Sequence, residues 1–193
     1  MTTDKPPEVV EQHAERQMMW ASQQDPSKFE PLYEAYFPRI YSYCRRRTNT
    51  DQQAEDLTSA VFIKALRNLP QYRGGSVAAW LFRIAHNEVV SHYRKQKPQV
   101  SIEAHDLQLR AGNDALDEAI RSAEEKQFLR QLTYQLTDEQ QNLLSLKFNG
   151  QLTSAQIGEV LGKSASAVRT EVHRLLKHLR MLYEKEAQHE PRQ

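Results

Sequence analysis

The segment at residues 158–164 reads GEVLGKS and contains the glycine, lysine and serine of a phosphate-binding loop. A Walker loop follows a strand, has four residues between its glycines and wraps backbone N–H groups around phosphates. This segment has three residues between its glycines and follows a capped amphipathic helical pattern. We therefore do not expect a nucleotide-hydrolysing site here. The membrane-helix pairing motif GxxxG is also excluded, because no apolar run of about 20 residues surrounds the two glycines.

The other residues that could do chemistry do not form a catalytic constellation. None of the seven histidines forms a pair four residues apart, and His173 and His178 are five apart. A zinc site of the helical i, i+4 type is therefore not expected. Cys44 has no neighbouring histidine to activate it, so its expected role is packing. The sequence predicts a protein that is not an enzyme and needs no cofactor or metal.

Composition predicts a helical protein of ordinary globular type. Apolar residues make up 39% and charged residues 26% of the 193 residues, with only six glycines. The abundant residues favour helix over strand. A net charge of +1 means that any nucleic-acid binding depends on local basic surfaces. The sequence predicts a cytoplasmic location. It has a single cysteine, which cannot form an internal disulfide, no apolar run of membrane-spanning length and no signal-peptide core at the N-terminus.

Three helical patterns follow a polar N-terminal extension at residues 1–26, in which the stretch VVEQHAERQMMWA could itself form a helix. Apolar residues recur at helical spacing from Phe29 and stop before three arginines at 45–47. A second stripe covers 51–69, and a third helix is predicted over 77–95. The predicted inward residues of these helices are Phe29, Leu32, Tyr33, Tyr36, Phe37, Ile40, Tyr41, Leu57, Val61, Phe62, Ala65, Leu66, Leu69, Leu81, Ile84, Ala85, Val89 and Tyr93. We interpret residues 27–97 as one helical domain.

A linker and a second helical domain complete the predicted organisation. Residues 98–125 hold seven acids and two arginines and few large apolar side chains, which is typical of a linker. The second domain is predicted at 126–186, before a tail at 187–193. Thr137 and Thr153 each precede a glutamine by three residues, the spacing of a capping box. The fold class predicted is all-α, with two small helical domains joined by an acidic linker.

The second domain ends in a predicted helix-turn-helix. A helix at 153–161, a turn at Gly162-Lys163 and a helix at 164–184 give that motif. Its predicted buried residues are Ile157, Val160, Leu161, Val168, Val172, Leu175, Leu176 and Leu179. Five basic residues and one acid fall between 163 and 180. A basic helix face after a tight turn fits the major groove, but a solvated face on an antiparallel helix pair explains the pattern equally well.

Several motifs, in their order along the chain, resemble the bacterial sigma-70 family and in particular its small extracytoplasmic-function (ECF) group. In the first domain these are AEDLTSAVFIKAL at 54–66 and YRGGSVAAWLFRIAHNEVVSHYRKQK at 72–97. In the second they are LTDEQQNLL at 136–144 and LTSAQIGEVLGKSASAVRTEVHRLLKHLR at 152–180. The resemblance covers most of residues 29–184. It implies a promoter-specificity subunit that binds core RNA polymerase, directs initiation and aids DNA melting.

The resemblance assigns a promoter element to each domain. The second domain would bind the minus-35 element as duplex, through Lys163, Arg169, Thr170, His173, Arg174 and Lys177. His173 fits a base contact and an ordinary surface position equally well. The first domain would bind an opened minus-10 strand. Its implied residues for strand capture and melting are Tyr72, Arg73, Gly74, Gly75, Ser76, Trp80, Arg83, His86, Asn87, His92, Arg94 and Lys95. Core packing is the stronger interpretation for much of the Trp80 ring.

Polymerase binding would fall on the second helix of the first domain. The residues that lie off its core stripe are Asp56, Ser59, Ile63 and Arg67. Ile63 is an apolar residue on the outer face, which suits a partner helix. Ser59-Ala60 stands where the family commonly has Gln-Glu.

The expected partners are core RNA polymerase and promoter DNA, and the family adds a possible anti-sigma factor. No association with a membrane is expected. The resemblance implies that the acidic linker passes near the active centre and RNA exit path of the polymerase, where it would occupy a basic nucleic-acid channel. A solvated tether explains its charge equally well. A stand-alone helix-turn-helix regulator is the alternative function. It would explain residues 136–184 but leave 54–97 without a purpose, and the near-zero net charge argues for weak unaided DNA binding.

Overall fold

The computed structural model describes residues 7–96 and 135–187, and every regular element in these two ranges is helical. The predicted all-α fold with two helical units and a helix-turn-helix is confirmed. The predicted acidic linker at 98–125 lies outside the described residues. So does the predicted tail apart from Ala187.

Between residues 7 and 96, the first unit contains four α-helices. Helix α1 is Pro7–Gln24, α2 is Glu30–Arg45, α3 is Asp51–Asn68 and α4 is Val77–Gln96. A 3₁₀ turn, Pro26–Phe29, joins α1 to α2. Helix α2 ends at the first of the three arginines, as predicted, because basic side chains there stabilise the carbonyl end of the helix.

Caps determine where the helices of the first unit begin and end. Thr50 caps α3 by accepting from the backbone N–H of Gln53, at 3.2 Å. After α3 a second 3₁₀ turn, Leu69–Gln71, leads into a loop at 72–76. Ser76 then caps α4, its Oγ accepting from the Ala79 N–H at 3.2 Å.

Within residues 135–187, the second unit contains three α-helices and a π-helical turn. Helix α5 is Asp138–Leu144, continued by the π turn Ser145–Asn149. Helix α6 is Ser154–Leu161, and α7 is Ala165–Ala187. Both predicted capping boxes, at Thr137 and Thr153, are present with their two reciprocal hydrogen bonds.

Glycines make the helix-turn-helix compact. Gly162 ends α6 with φ of 69°, the left-handed conformation that glycine adopts without strain. Gly158 lies so close to the turn that a Cβ there would be 2.5 Å from the Lys163 carbonyl oxygen. The π turn ends at Asn149-Gly150 with a different geometry from a left-handed glycine cap. Gly150 remains at φ −74°, and Gln151 takes the positive φ of 52°.

Four predicted core residues are exposed. Tyr33 and Phe37 on α2, Leu66 on α3 and Leu176 on α7 each leave more than a third of their surface in water. The apolar stripes of these helices are therefore wider than the core that they cover. The other predicted inward residues are buried or pack against the core at its edge.

The two units share one core, with α4 of the first unit packed against α6 of the second. Phe82 of α4 is fully buried, and its ring lies so close to Gly150 that a Cβ there would be 2.8 Å from the ring Cε1. The Tyr43 hydroxyl donates to Asn142 Oδ1 at 2.8 Å. Asn149 Nδ2 donates to the Ser42 hydroxyl at 2.9 Å. These contacts hold the units in a closed arrangement.

Candidate nucleic-acid interface

The loop at 72–76 is fixed at both ends and open in the middle. Tyr72 is buried, and its hydroxyl donates to the Gly75 carbonyl at 2.9 Å, which closes the loop on itself. Gly74 and Gly75 have φ of 103° and 92°, with no heavy atom within 4 Å of the position of an added Cβ. Only glycine adopts such backbone readily. A ligand could therefore approach the loop backbone closely between Tyr72 and Ser76.

Four of the predicted minus-10 residues form one stripe on α4. At about 100° per residue, Trp80, Arg83, Asn87 and Arg94 lie within one sector of the helix. Arg83, Asn87 and Arg94 are exposed, and Trp80 is half-buried. The Trp80 ring packs against the core and meets Tyr72 edge-on, at 5.7 Å between centroids. Packing therefore accounts for part of this ring, as the sequence indicated.

The remaining polar residues predicted on α4 lie away from this stripe. His86 and His92 diverge from Trp80 by about 120° in opposite directions, and both are half-buried. The His86 Nδ1 lies 3.4 Å from the Tyr43 hydroxyl. Burial lowers the pKa of His86 below its ordinary value, and Arg47 adds to that effect, so the neutral imidazole is favoured. Lys95 is exposed near the end of α4.

Helix α6 covers the N-terminal part of the stripe in the closed arrangement. Arg83 Nη2 donates to the Glu159 carbonyl at 2.6 Å. Gln156 Nε2 donates to the Ser76 hydroxyl at 3.1 Å. The exposed Arg73 is held locally, because its guanidinium donates to the Pro70 carbonyl beside the loop. Two of the predicted minus-10 residues, Ser76 and Arg83, are thus occupied by the second unit.

The second helix of the helix-turn-helix, α7, has the predicted basic face. The predicted residues of this face, all of them exposed, are Arg169, Thr170, His173, Arg174 and Lys177. Val168, Val172 and Leu175 are buried on the opposite face. The helix is therefore amphipathic, with its polar side exposed.

Two predicted minus-35 residues have intramolecular partners. Lys163 Nζ pairs with the Glu171 carboxylate at 2.9 Å, so part of its charge is neutralised. The Thr170 hydroxyl donates to the Ser166 carbonyl at 3.0 Å, and its oxygen remains an acceptor. Arg174 lines a cleft of about 730 Å³ in the second unit, whose wall also includes His86 of α4.

Helix α3 presents the predicted polymerase-binding residues on its outer surface. Asp56, Ser59, Ile63 and Arg67 are all exposed, and Ile63 leaves 49% of its surface in water. Their spacing of three, four and four residues places them on one helical face.

The apolar surface beside this face is larger than the sequence pattern predicts. Tyr33 and Phe37 of α2 contact the Phe62 ring of α3, with centroids 4.7 and 6.2 Å apart. Leu66 lies one turn after Phe62 and is 42% exposed. We call Tyr33, Phe37, Ile63 and Leu66 the apolar patch. Helical periodicity indicated the apolar positions but not which of them the core leaves uncovered.

Comparison with known proteins identifies both units. The Sigma-70 region 2 family model matches residues 32–99, and the Sigma-70, region 4 model matches residues 129–179. RNA polymerase sigma factor YlaC of Bacillus subtilis (strain 168) is 34% identical over 148 residues, covering 75% of this chain and 86% of that protein. The chain belongs to the sigma-70 family, in its ECF group.

Other relatives agree with this ECF assignment. ECF RNA polymerase sigma factor SigW of the same organism is 28% identical, with 78% of this chain and 86% of SigW covered. CnrH, solved in complex with the cytosolic domain of CnrY, has the same fold, with a TM-score of 0.64 at 17% identity. That match covers 88% of this chain and 97% of the solved one.

The family assignment decides between the functions that the sequence left open. The predicted sigma-70 resemblance is confirmed, and a stand-alone helix-turn-helix regulator is not favoured, because the first unit is a sigma region as well. Sigma factors are regulatory DNA-recognition subunits. In this ECF sigma factor, no helix within the described ranges is long and apolar enough to cross a membrane.

Proposed function

We propose that this ECF sigma factor binds core RNA polymerase and directs it to promoters through three separate surfaces. The observation that carries the proposal is the presence of regions 2 and 4 in order on one chain. Each region has an exposed face that its own packing does not use. The protein itself catalyses no reaction and acts in the bacterial cytoplasm.

The polymerase-binding surface is the outer face of α3 together with the apolar patch. A patch of two aromatic and two aliphatic side chains rimmed by Asp56 and Arg67 is typical of a protein–protein contact. Core RNA polymerase is the partner expected from membership of the sigma-70 family. An anti-sigma factor would compete most simply by covering the same patch.

The minus-35 surface is the exposed face of α7. Arg169 and Arg174 lie at the two edges of this face, about 140° apart around the helix axis, and the exposed His173 and Lys177 lie between them. An arginine that forms two hydrogen bonds to a guanine edge supplies about 1–3 kcal/mol of discrimination. Lys163 and Lys177 hold backbone phosphates, which supply affinity without sequence preference.

The minus-10 surface is the loop at 72–76 with the stripe on α4. Unstacked bases need a pocket with donors and a flat apolar surface, which the loop backbone, Asn87 and the uncovered part of the Trp80 ring supply. A strand at Ser76 and Arg83 replaces their hydrogen bonds to Gln156 and Glu159. Minus-10 binding therefore requires α6 to move away from α4.

Capture of core polymerase by surface variants tests the first surface without DNA. Ile63→Asp places a charge in the apolar patch and should reduce polymerase affinity more than tenfold. Val90→Asp is the matched control, since Val90 is also an exposed apolar residue but lies on α4. Equal capture by Ile63→Asp and wild type would remove α3 from the proposal.

Duplex binding by the holoenzyme tests the minus-35 surface. Arg174→Ala should keep polymerase binding and lose preference at one or two base pairs of the upstream element. Arg180→Ala, exposed on the same helix, should leave that preference intact. Unchanged selectivity in Arg174→Ala would remove this side chain from base recognition.

A further inference from the structure

Helix α1 contacts the minus-10 loop although it precedes the residues matched by the region 2 model, which begins at residue 32. The contact is made by Gln23, one residue before the end of the helix. Its Nε2 donates to the Leu69 carbonyl at 2.7 Å and to the Tyr72 carbonyl at 2.8 Å. One side-chain amide thus joins α1 to two backbone groups that lie 46 and 49 residues further along the chain.

The two carbonyls are at the ends of the turn from which the loop emerges. Leu69 begins the 3₁₀ turn, and Tyr72 follows it as the first residue of the loop. The Tyr72 N–H also donates to the Leu69 carbonyl, at 3.1 Å. A glutamine amide has two N–H donors, so Gln23 can satisfy both acceptors at once. It thereby fixes the direction in which the chain leaves Tyr72.

The middle of the loop has little else to hold it. Gly74 and Gly75 carry no side chain, and a Cβ at either position would meet open space. The loop conformation therefore depends on a few anchors. Gln23 donates to the Tyr72 carbonyl at 2.8 Å, and the Arg73 guanidinium adds a longer bond to it at 3.5 Å besides its bond to the Pro70 carbonyl. The Tyr72 hydroxyl on the Gly75 carbonyl and Ser76 at the start of α4 hold the other end.

Helix α1 is itself firmly seated, which makes Gln23 a fixed point. Met19 is fully buried in the core, and Ser22 is buried beside it. The Tyr36 hydroxyl of α2 donates to the Glu15 carboxylate at 2.7 Å. The position of the amide is thus determined by packing between helices.

We propose that Gln23 is a positioning residue for minus-10 recognition. It holds the loop at 72–76 in the conformation that accepts an unstacked base and so contributes to strand affinity and base preference without touching DNA. The proposal rests on the proposed function of that loop. Helix α1 thereby has a role in promoter recognition through the hydrogen bonds from the Gln23 side chain to the Leu69 and Tyr72 carbonyls.

The test uses holoenzyme assembled from core polymerase and the full chain. Gln23→Met keeps the length and volume of the side chain and removes both donors. Gln24→Met is the matched control, because Gln24 is the adjacent exposed residue on the same helix. The probe is a forked promoter DNA selected by wild-type holoenzyme from a randomised library, with a second fork whose minus-10 strand is scrambled.

We expect Gln23→Met to bind the selected fork about tenfold more weakly, since two hydrogen bonds to the loop are lost. Its preference for the selected over the scrambled strand should fall with it. Polymerase affinity and minus-35 duplex binding should stay within about twofold of wild type, and Gln24→Met should match wild type throughout. A purely structural role would instead lower all three binding activities together.

Two results would overturn the proposal in distinguishable ways. If Gln23→Met retains wild-type minus-10 preference, or loses polymerase and minus-35 binding to the same extent, Gln23 does not position the loop. If the wild-type holoenzyme itself does not distinguish the selected from the scrambled strand, the loop is not the minus-10 reader. The proposed function of the loop and the role of Gln23 then fail together.

Discussion

Arg39 of α2 donates two hydrogen bonds to the backbone carbonyl of Gly150, from Nη2 at 2.7 Å and from Nε at 3.1 Å. The same guanidinium lies over the Tyr36 ring, 4.7 Å from its centroid. Arg39 belongs to the first unit and Gly150 to the second. This contact joins the two units beside the close contact between the Phe82 ring and Gly150.

Removal of the Arg39 side chain should weaken the closed arrangement. Hydrogen bonds from a charged donor contribute about 1.5–3 kcal/mol, so Arg39→Ala should lower the free energy of unfolding by about 2 kcal/mol. Urea denaturation of the full chain measures this change. Arg180→Ala, an exposed arginine on α7, should cost less than about 0.5 kcal/mol. An equal effect of the two variants would mean that the bond to Gly150 does not stabilise the fold.

The two glycines of the helix-turn-helix should differ in their tolerance of alanine. Gly158→Ala forces a Cβ to within 2.5 Å of the Lys163 carbonyl, so the turn must shift, at a cost of about 3 kcal/mol. In Gly162→Ala the added Cβ meets no other atom, so the only cost is that of a left-handed backbone at a residue other than glycine. That cost is about 1 kcal/mol of unfolding free energy. Thermal unfolding and minus-35 binding check the order of the two effects. A smaller loss for Gly158→Ala would contradict the close turn.

Stability should fall as the pH falls below about 6.5, the ordinary pKa of histidine, and His86 should cause part of the fall. Burial lowers the pKa of His86 in the folded protein, so below that pH the unfolded chain binds more protons than the folded chain. Urea midpoints at pH 7.5 and 5.5 measure the difference. In His86→Gln the difference should shrink, whereas in His173→Gln, an exposed position, it should remain. An unchanged difference in His86→Gln would exclude His86 as a source.

The Cys44 thiol should be inert in the folded protein. It is fully buried, and burial raises its pKa to about 12, so the reactive thiolate is scarce at neutral pH. We expect a disulfide reagent at pH 8 to label it only as fast as the chain unfolds, and at once in denaturant. Rapid stoichiometric labelling under native conditions would show that the α2–α3 interface opens locally.

Local signals in the sequence predicted the elements well. Capping boxes at Thr137 and Thr153, the glycine at 162 and the apolar spacing of α3 and α4 depend on residues within a few positions of each other. Such patterns determine where helices begin and end. The family motifs lie on these same elements, which is why the family could be predicted as well.

The contact between the units could not be predicted in the same way. Arg39 and Gly150 are 111 residues apart, and the acceptor is a backbone carbonyl that leaves no mark in the sequence. Gln23 is similar, since both of its partners are backbone groups. The exposure of Tyr33, Phe37 and Leu66 also depends on which neighbour covers each side chain, and an amphipathic pattern does not specify that neighbour.

Transcription with purified core RNA polymerase that lacks its own sigma factor tests the central claim most directly. The full chain is added to core enzyme on a promoter library, and transcript start sites are sequenced. We predict initiation at a defined set of promoters that share an upstream and a downstream element, lost with Ile63→Asp and altered upstream with Arg174→Ala. A chain that leaves core polymerase inactive yet binds duplex DNA unaided would contradict the promoter-specificity function.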